Sequence, residues 1–281
     1  MRDPNLVKDG HLLKLSRAAL QSAQDYRVIP DIHFDDFIFN ALYVITEKNL
    51  DLAAWNYYMS GRTSAEKIRD IVALHHHLKI QQDQLETPIS MLDFASGYGC
   101  VTRHMRNIFP NINIVAMDIH EKAYQFNRDH LGLKAAMSQT KPEGVKPFFA
   151  FDVVFALSFF SHLPKQRFFP WLKKLTEFVK PGGLLLFTTH GQESHRTQMP
   201  QVKLDEDGYG FIPESEQFDL STEDYIHAVT YPNFVLREVE KLEGMDLRMF
   251  FKAFWWLHQD AYVLQKQLNG PRSGEGLRKF P

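Results

Sequence analysis

The sequence predicts an α/β fold, a doubly wound and mostly parallel sheet with helices on both faces, preceded by N-terminal helices. Three observations predict it. An apolar run through Met91 and Leu92 ends in Asp93, turns through Gly97 and Gly99, and opens into a helix-like segment. A second apolar run, Ile114 to Met117, ends in another carboxylate, Asp118, at the distance expected for the next parallel strand. A third run, Phe151 to Ser158, leads through a helix closed by Lys180, Pro181, Gly182 and Gly183 into Leu184–Thr189. Strands alternating with helices in this way pair in parallel through right-handed crossovers.

Each element follows from its own pattern. Residues 11 to 80 read as helical. Leu12, Leu13, Leu15, Ala18 and Ala19 share one helical face, and Phe34, Ile38, Leu42 and Ile45 mark a second helix. A third helix is expected after Gly61, with Ser64 as its cap and Ala65–Val72 following. Residues 81 to 88 form a polar connector. The core then predicts strand 89–94, helix 99–108, strand 112–117, helix 120–131 and a short strand 133–138. Strand 151–157, helix 164–179 and strand 183–189 complete the alternation. Residues 190 to 231 break the pattern with polar stretches such as Asp205–Gly208, and an irregular segment of this length is expected to cap a site. A helix near 233–242 and strands near 246–252 and 259–266 restore regular structure. The Gly-, Pro- and Ser-containing residues 269–281 read as a flexible tail.

Composition excludes several classes of function. A hydrophobic share of 44% over 281 residues supports one sizeable domain with embellishments. The formal net charge of −2 supplies no field for nucleic acid or an anionic membrane, so neither is an expected partner. The single cysteine, Cys100, precludes an internal disulfide and fits a reducing compartment; inside the turn, its expected role is packing. The first residues lack a signal-peptide pattern and no apolar run is long enough to span a bilayer, which predicts a cytoplasmic protein.

The turn carries the chemistry. Glycines let backbone approach a ligand where any side chain would collide, and an acid ending the second strand accepts hydrogen bonds from a ribose. A dinucleotide fingerprint needs a third glycine where this chain has Thr102. Asp93 would also repel a pyrophosphate and attract an ammonium. These residues resemble the class I S-adenosylmethionine-dependent methyltransferases over roughly positions 88 to 190. The family's acid-x-Gly-x-Gly-x-Gly reads here as Asp93, Ala95, Gly97 and Gly99, the first glycine being replaced by alanine. Alanine adds one methyl and disfavours only positive φ.

The resemblance implies a Rossmann-like, seven-stranded sheet with an antiparallel C-terminal hairpin beside the fifth strand. It implies S-adenosyl-L-methionine as cofactor and S-adenosyl-L-homocysteine as product. Asp93, Phe94, Ala95, Ser96, Gly97 and Gly99 would form the turn, and Asp118 and Ile119 would meet the ribose. Ser138 and Gln139 would stand where the family usually places an adenine-binding aspartate. Leu157, Ser158 and Phe159 would touch the cofactor from the fourth strand of the core. The Trp55–Arg62 segment, the Phe160–Pro164 run, Thr188–Gly191 and Trp255-x-x-His258-Gln259-Asp260-x-Tyr262-Val263-Leu264 are similar to a bacterial subgroup often associated with glycan assembly. In that subgroup residues 1–80 would pack over the cofactor site, ahead of a methyltransferase domain at 81–268. Arg62 would pair with the methionine carboxylate or else face solvent.

Methyl transfer needs a base only for a weakly acidic hydroxyl or a protonated amine. His162 has the right intrinsic pKa for that role, against the plainer one of orienting the loop before Pro164. His190, at the end of the next strand, divides between substrate contact and loop anchoring. No metal is expected at His75, His76 and His77, since consecutive helical residues point in different directions. The aromatic segment 250–264 reads as strand packing, and as a candidate surface for a homodimer. The expected activity is O-methylation of a small-molecule or glycan hydroxyl. A non-catalytic, cofactor-binding descendant of the same fold is the alternative.

Overall fold

The computed structural model describes residue 6 and residues 8–77, 88–214, 217 and 220–268. Residues 81–87 of the expected connector and the expected tail 269–281 lie outside them. Two compact units are present, residues 1–145 with 155–159, and residues 146–154 with 160–281.

In the first unit, β1 (Lys8–Asp9) and β2 (Leu12–Leu13) form a small antiparallel pair. They are followed by α1 (Arg17–Asp25), α2 (Phe37–Ile45) and α3 (Leu50–His77). Then come β3 (Ile89–Phe94), α4 (Thr102–Ile108), β4 (Ile112–Asp118), α5 (Glu121–Asp129) and β5 (Lys134–Met137). Every residue of β3 is buried, the signature of a strand covered on both faces. It pairs in parallel with β4, Asp93 opposite Ala116, and β4 pairs in parallel with β5. The helices α1, α2 and α3 enclose their own core of Ala19, Ala23, Phe39, Ala53, Ala54 and Tyr57, with Cys100 joining it.

In the second unit, β6 (Phe151–Ala156) begins a run of α6 (Lys165–Glu177), β7 (Val179–His190) and α7 (Gln192–Thr197). The antiparallel pair β8 (Tyr209–Ile212) and β9 (His227–Thr230) precedes α8 (Pro232–Glu240). The chain closes with β10 (Met245–Trp255) and β11 (Gln259–Lys266), an antiparallel hairpin whose second strand pairs antiparallel with β7. The seven-stranded sheet has the order β10-β11-β7-β6-β3-β4-β5, and the expected doubly wound, Rossmann-like fold with its C-terminal hairpin is present. A fold of this type places its ligand outside the carboxyl ends of the strands. No described helix is long and apolar enough to cross a membrane.

Four local expectations are corrected. Leu12 and Leu13 lie in β2, and the helix starts only after Ser16, whose hydroxyl accepts from the Ala19 N–H. Ser64 caps nothing, because α3 runs unbroken from residue 50. Gly61 sits inside α3 for a tertiary reason: a Cβ there would meet the Cys100 carbonyl oxygen at 2.1 Å. Lys180–Gly183 belong to the start of β7, with Gly182 at φ +80°, while α6 ends at Glu177. The segment expected to be irregular contains α7 and the β8–β9 pair.

Candidate functional site

The turn after β3 is built by backbone first. Ala95 has φ +59°, Gly97 +53° and Gly99 +73°. The alanine therefore adopts the left-handed conformation that its Cβ disfavours, the one conformation that the replacement of glycine penalises. That conformation costs an L-residue on the order of 1–2 kcal/mol. The Ser96 N–H donates to Met117 O at 3.1 Å and the Gly99 N–H to Ser96 O at 3.2 Å, which fastens the bend to the end of β4.

The two glycines do different work. A Cβ on Gly99 would lie 2.5 Å from both Asn127 Oδ1 and Leu131 Cδ1, so this glycine serves helix packing. A Cβ on Gly97 meets no atom within 4 Å. Gly97 is thus the bare stretch of backbone that a ligand can approach.

Both acids are anchored. Asp93 is 4% exposed and accepts from the Thr102 hydroxyl. Burial raises its pKa to about 7, against the pull of that hydrogen bond, with the Asp118 charge adding to the rise. Asp118 Oδ2 accepts from the Gly97 N–H at 2.7 Å, and Oδ1 from the His120 N–H at 2.9 Å. The carboxylate at the end of β4 therefore holds the very residue whose Cα is bare. Ile119 is half-buried beside it, and Ser138, buried, donates its N–H to Asp118 O at 2.8 Å. Gln139 is exposed, its side chain against Gly144. Phe94 and Phe159 meet edge to face with centroids 5.0 Å apart. Leu157, Ser158 and Phe159 are all half-buried, Ser158 at φ +58°. Arg62 is engaged by Glu66 on the same helix, Nε to Oε1 at 2.7 Å. His75 is buried on α3, whereas the side chains of His76 and His77 lie outside the described ones. Burial pushes the Cys100 thiol up, and Sγ lies 3.5 Å from Tyr57 O, so packing is its role.

Two residues that sequence reading missed complete the turn. Arg103 is buried and donates to five oxygens: Gly99 O, Tyr98 O, Tyr57 Oη, Ile29 O and Asp31 O, at 2.8–3.1 Å. Tyr57 in turn donates to Asp36 Oδ2 at 2.6 Å, so the guanidinium charge is balanced through a phenol. Asn127 on α5 donates to Gly97 O at 2.8 Å. No sequence signal marks either, since Arg and Asn on a helix usually face water.

The second unit gathers histidines. His162 and His190 are each 7% exposed, with ring centroids 5.7 Å apart. His162 Nδ1 lies 3.0 Å from Ile226 O, and its ring stacks on Tyr225 with centroids at 4.5 Å. His190 Nδ1 lies 3.3 Å from Ala228 O. A carbonyl only accepts, so each Nδ1 carries the hydrogen and each Nε2 a lone pair. Burial lowers the pKa of both, His190 to about 3, and the neighbouring histidines push the same way. Nearby, Asp260 is fully buried with Oδ1 accepting from the Ala253 N–H at 2.8 Å, and its carboxyl packs directly on Gly191. Among the described residues no cluster of three or more His, Cys, Asp or Glu has metal-binding geometry.

Comparison with known proteins agrees with the turn. A family profile described as a methyltransferase domain matches residues 92–185. A malonyl-[acyl-carrier protein] O-methyltransferase 2 from Ilyobacter polytropus is 28% identical over 112 residues, 39% of this chain and 42% of that protein. A malonyl-[acyl-carrier protein] O-methyltransferase from Halalkalibacterium halodurans is 26% identical over 149 residues, 50% of this chain and 53% of that one. The chain thus spans about half the length of the curated relatives it matches. Among solved structures, an S-adenosylmethionine-dependent methyltransferase from Clostridium acetobutylicum aligns with TM-score 0.53 at 13% identity, covering 81% of this chain and 96% of that one. The aminopentose methyltransferase CalS10 from Micromonospora echinaspora aligns at 0.51 and 10% identity, covering 74% and 92%. At those identities the structures speak to fold alone. The match to a methyltransferase domain begins at the turn, and over residues 92–185 the chain is similar to the S-adenosylmethionine-dependent methyltransferases.

Proposed function

We propose that this chain transfers a methyl group from S-adenosyl-L-methionine to a hydroxyl of a small molecule or glycan, leaving S-adenosyl-L-homocysteine. The observation that carries the reading is the Gly97 backbone, bare on one side and held by Asp118 on the other. The residues fit the cofactor. Asp118 has lone pairs for ribose hydroxyls, Asp93 can balance an ammonium, and Ala95 to Gly99 offer main chain without bulk. Ser138 and Gln139 are the candidates for the base, and Leu157, Ser158 and Phe159 for its flank. The cofactor supplies an activated methyl and its leaving group.

The protein's part is alignment, exclusion of water and removal of the hydroxyl proton. His162 and His190 are the candidates for the last, each with an Nε2 lone pair, but burial makes them weaker bases than an ordinary imidazole, which corrects the expectation of a suitable pKa for His162. Since burial keeps both rings neutral, kcat at saturating donor should not fall between about pH 8 and 6, where an ordinary imidazole would protonate.

Two measurements test the proposal. Calorimetry should show binding of S-adenosyl-L-homocysteine that Asp118→Ala weakens at least tenfold. Labelled donor incubated with a panel of sugars and small alcohols should yield a methyl ether. Donor binding with no transfer to any acceptor would mean a protein that keeps the pocket without the reaction, and loss of kcat at saturating donor toward pH 6 would remove the two histidines as proton acceptors.

A further inference from the structure

The first unit contains a cleft whose wall includes none of Ala95, Gly97 or Asp118. It measures about 410 Å³ and lies among the β1–β2 turn, residues 33–35 and α5. Small-molecule sites generally occupy roughly 300–1,000 Å³, so its size suits a ligand of one ring. Its wall includes Lys8, His11, His33, Asp35, Lys122 and Gln125.

The wall carries both signs, Lys8 and Lys122 against Asp35 and Asp129. Lys122 Nζ lies 2.9 Å from Asp35 Oδ2, and Asp129, at the rim, is held by Arg128 at 2.6 Å. Lys8 makes no ion pair with a described carboxylate and lies over the Phe34 ring at 4.5 Å. A strongly charged ligand would therefore meet both signs at close range.

The hydrogen-bonding pattern alternates. His33 is 5% exposed, and its Nδ1 accepts from the Asp35 N–H at 3.0 Å. The ring hydrogen of the neutral imidazole is then on Nε2, which has no hydrogen-bond partner among the described residues. This is a nearly buried donor in the wall of a cleft. His11 provides the opposite. His130 Nδ1 is 3.3 Å from Asp31 Oδ2 and therefore carries hydrogen, so His130 Nε2 accepts from His11 Nε2 at 2.9 Å. His11 Nδ1 is left as an acceptor. Gln125 adds one group of each kind. Phe34 and the His11 ring supply flat surfaces, while the His33 ring is stacked by His11 at 5.2 Å and by Tyr98 at 4.4 Å and offers only its edge.

We infer that this cleft is a binding site for a neutral, hydroxyl-bearing ring such as a sugar. A hydroxyl both donates and accepts, so it is satisfied by a wall in which donors and acceptors alternate and both signs of charge are present. The C–H face of such a ring packs on the imidazole and phenyl planes. A phosphorylated ligand would face Asp35 and Asp129, and a wholly apolar one would strand the buried His33 donor. The site also bears on the turn, because His33 stacks on Tyr98, between the two glycines, with centroids at 4.4 Å. The inference concerns binding alone and stands or falls apart from the methyl-transfer reading.

The test is a nuclear magnetic resonance titration of the full chain with D-glucose, D-galactose, L-rhamnose and N-acetyl-D-glucosamine, with inorganic phosphate and glucose 1-phosphate as the charged arms. At least one neutral sugar should give saturable shifts in residues 8–11, 33–35 and 122–130, with a millimolar dissociation constant. Gln125→Ala with Lys8→Ala, both exposed changes that spare the core, should weaken it about tenfold. His33→Phe, which keeps the stack on Tyr98 but removes the donor, should weaken it at least as much. A flat response to all neutral sugars, tighter binding of either phosphate, or shifts unaltered in both variants would each overturn the inference. Binding of S-adenosyl-L-homocysteine, measured in parallel, reports separately on the turn.

Discussion

Replacing Gly97 and Gly99 in turn by alanine separates a glycine kept for a ligand from one kept for packing. Both residues have positive φ, +53° and +73°. Each substitution therefore carries a left-handed penalty of about 1–2 kcal/mol, partly offset by about 0.4–1 kcal/mol of lost chain entropy in the unfolded state. For Gly97→Ala that is the whole effect on the fold, a loss of about 1 kcal/mol, because the new methyl meets nothing within 4 Å. For Gly99→Ala the methyl arrives 2.5 Å from Asn127 Oδ1 and from Leu131 Cδ1. Overpacking of that kind adds about 1–3 kcal/mol, giving a total of about 2–4 kcal/mol. Urea unfolding measures the first quantity and calorimetric titration with S-adenosyl-L-homocysteine the second. Gly97→Ala should be the more stable variant and yet lose at least tenfold in affinity. Full affinity in Gly97→Ala would refute the placement of the ligand against this backbone. Equal stability of the two variants would refute the assignment of Gly99 to packing.

Three further outcomes follow from the same geometry. Arg103→Met should destabilise by about 3–5 kcal/mol in urea unfolding, because Asp36 loses its counter-charge and several buried carbonyls lose their donor. Arg103→Lys should recover little of it, since one ammonium cannot reach oxygens set around a planar fork. Asp93, raised by burial from 3.8 to about 7, binds its proton more tightly folded than unfolded. Its contribution is therefore fullest below about pH 4, declines as pH rises through the interval up to 7, and is level above it, a change of about 4 kcal/mol. Asp93→Asn should remove that slope from stability–pH curves, and an unchanged slope would show the carboxyl to be ionised throughout. Binding of an ammonium-bearing ligand near pH 6.5 should likewise release a proton, visible as buffer-dependent binding heat. Ala95→Gly relieves the positive φ of the turn and should raise stability by about 0.5–1 kcal/mol with affinity retained; a loss of stability would mean that the methyl is packed.

The sheet was legible because strand patterns are local. An apolar run ending in an acid, followed by a glycine turn, needs no knowledge of distant residues, and β3, β4, β6 and β11 begin within a residue or two of their expected positions. The N-terminal region was less so. Leu12 and Leu13 fit a helical face by spacing, yet they pair with Lys8 and Asp9 in a hairpin. Gly61 and Ser64 read as a helix start, yet α3 passes straight through them because its glycine lies against the Cys100 carbonyl. A break signal in sequence and a close-approach position in space use the same residue.

What the sequence alone determined is the fold class, the order of the core strands and the identity of the turn with its two acids. These depend on hydrophobic period and on short-range chemistry, both written along the chain. Only the tertiary structure decided which glycine is bare and which is packed, that Arg103 and Asn127 hold the turn, that Ala95 bears positive φ, and that His162 and His190 are neutral with their Nδ1 hydrogens committed to carbonyls. Each of those depends on atoms brought together from residues far apart in the chain, and burial, charge balance and tautomer have no local signature.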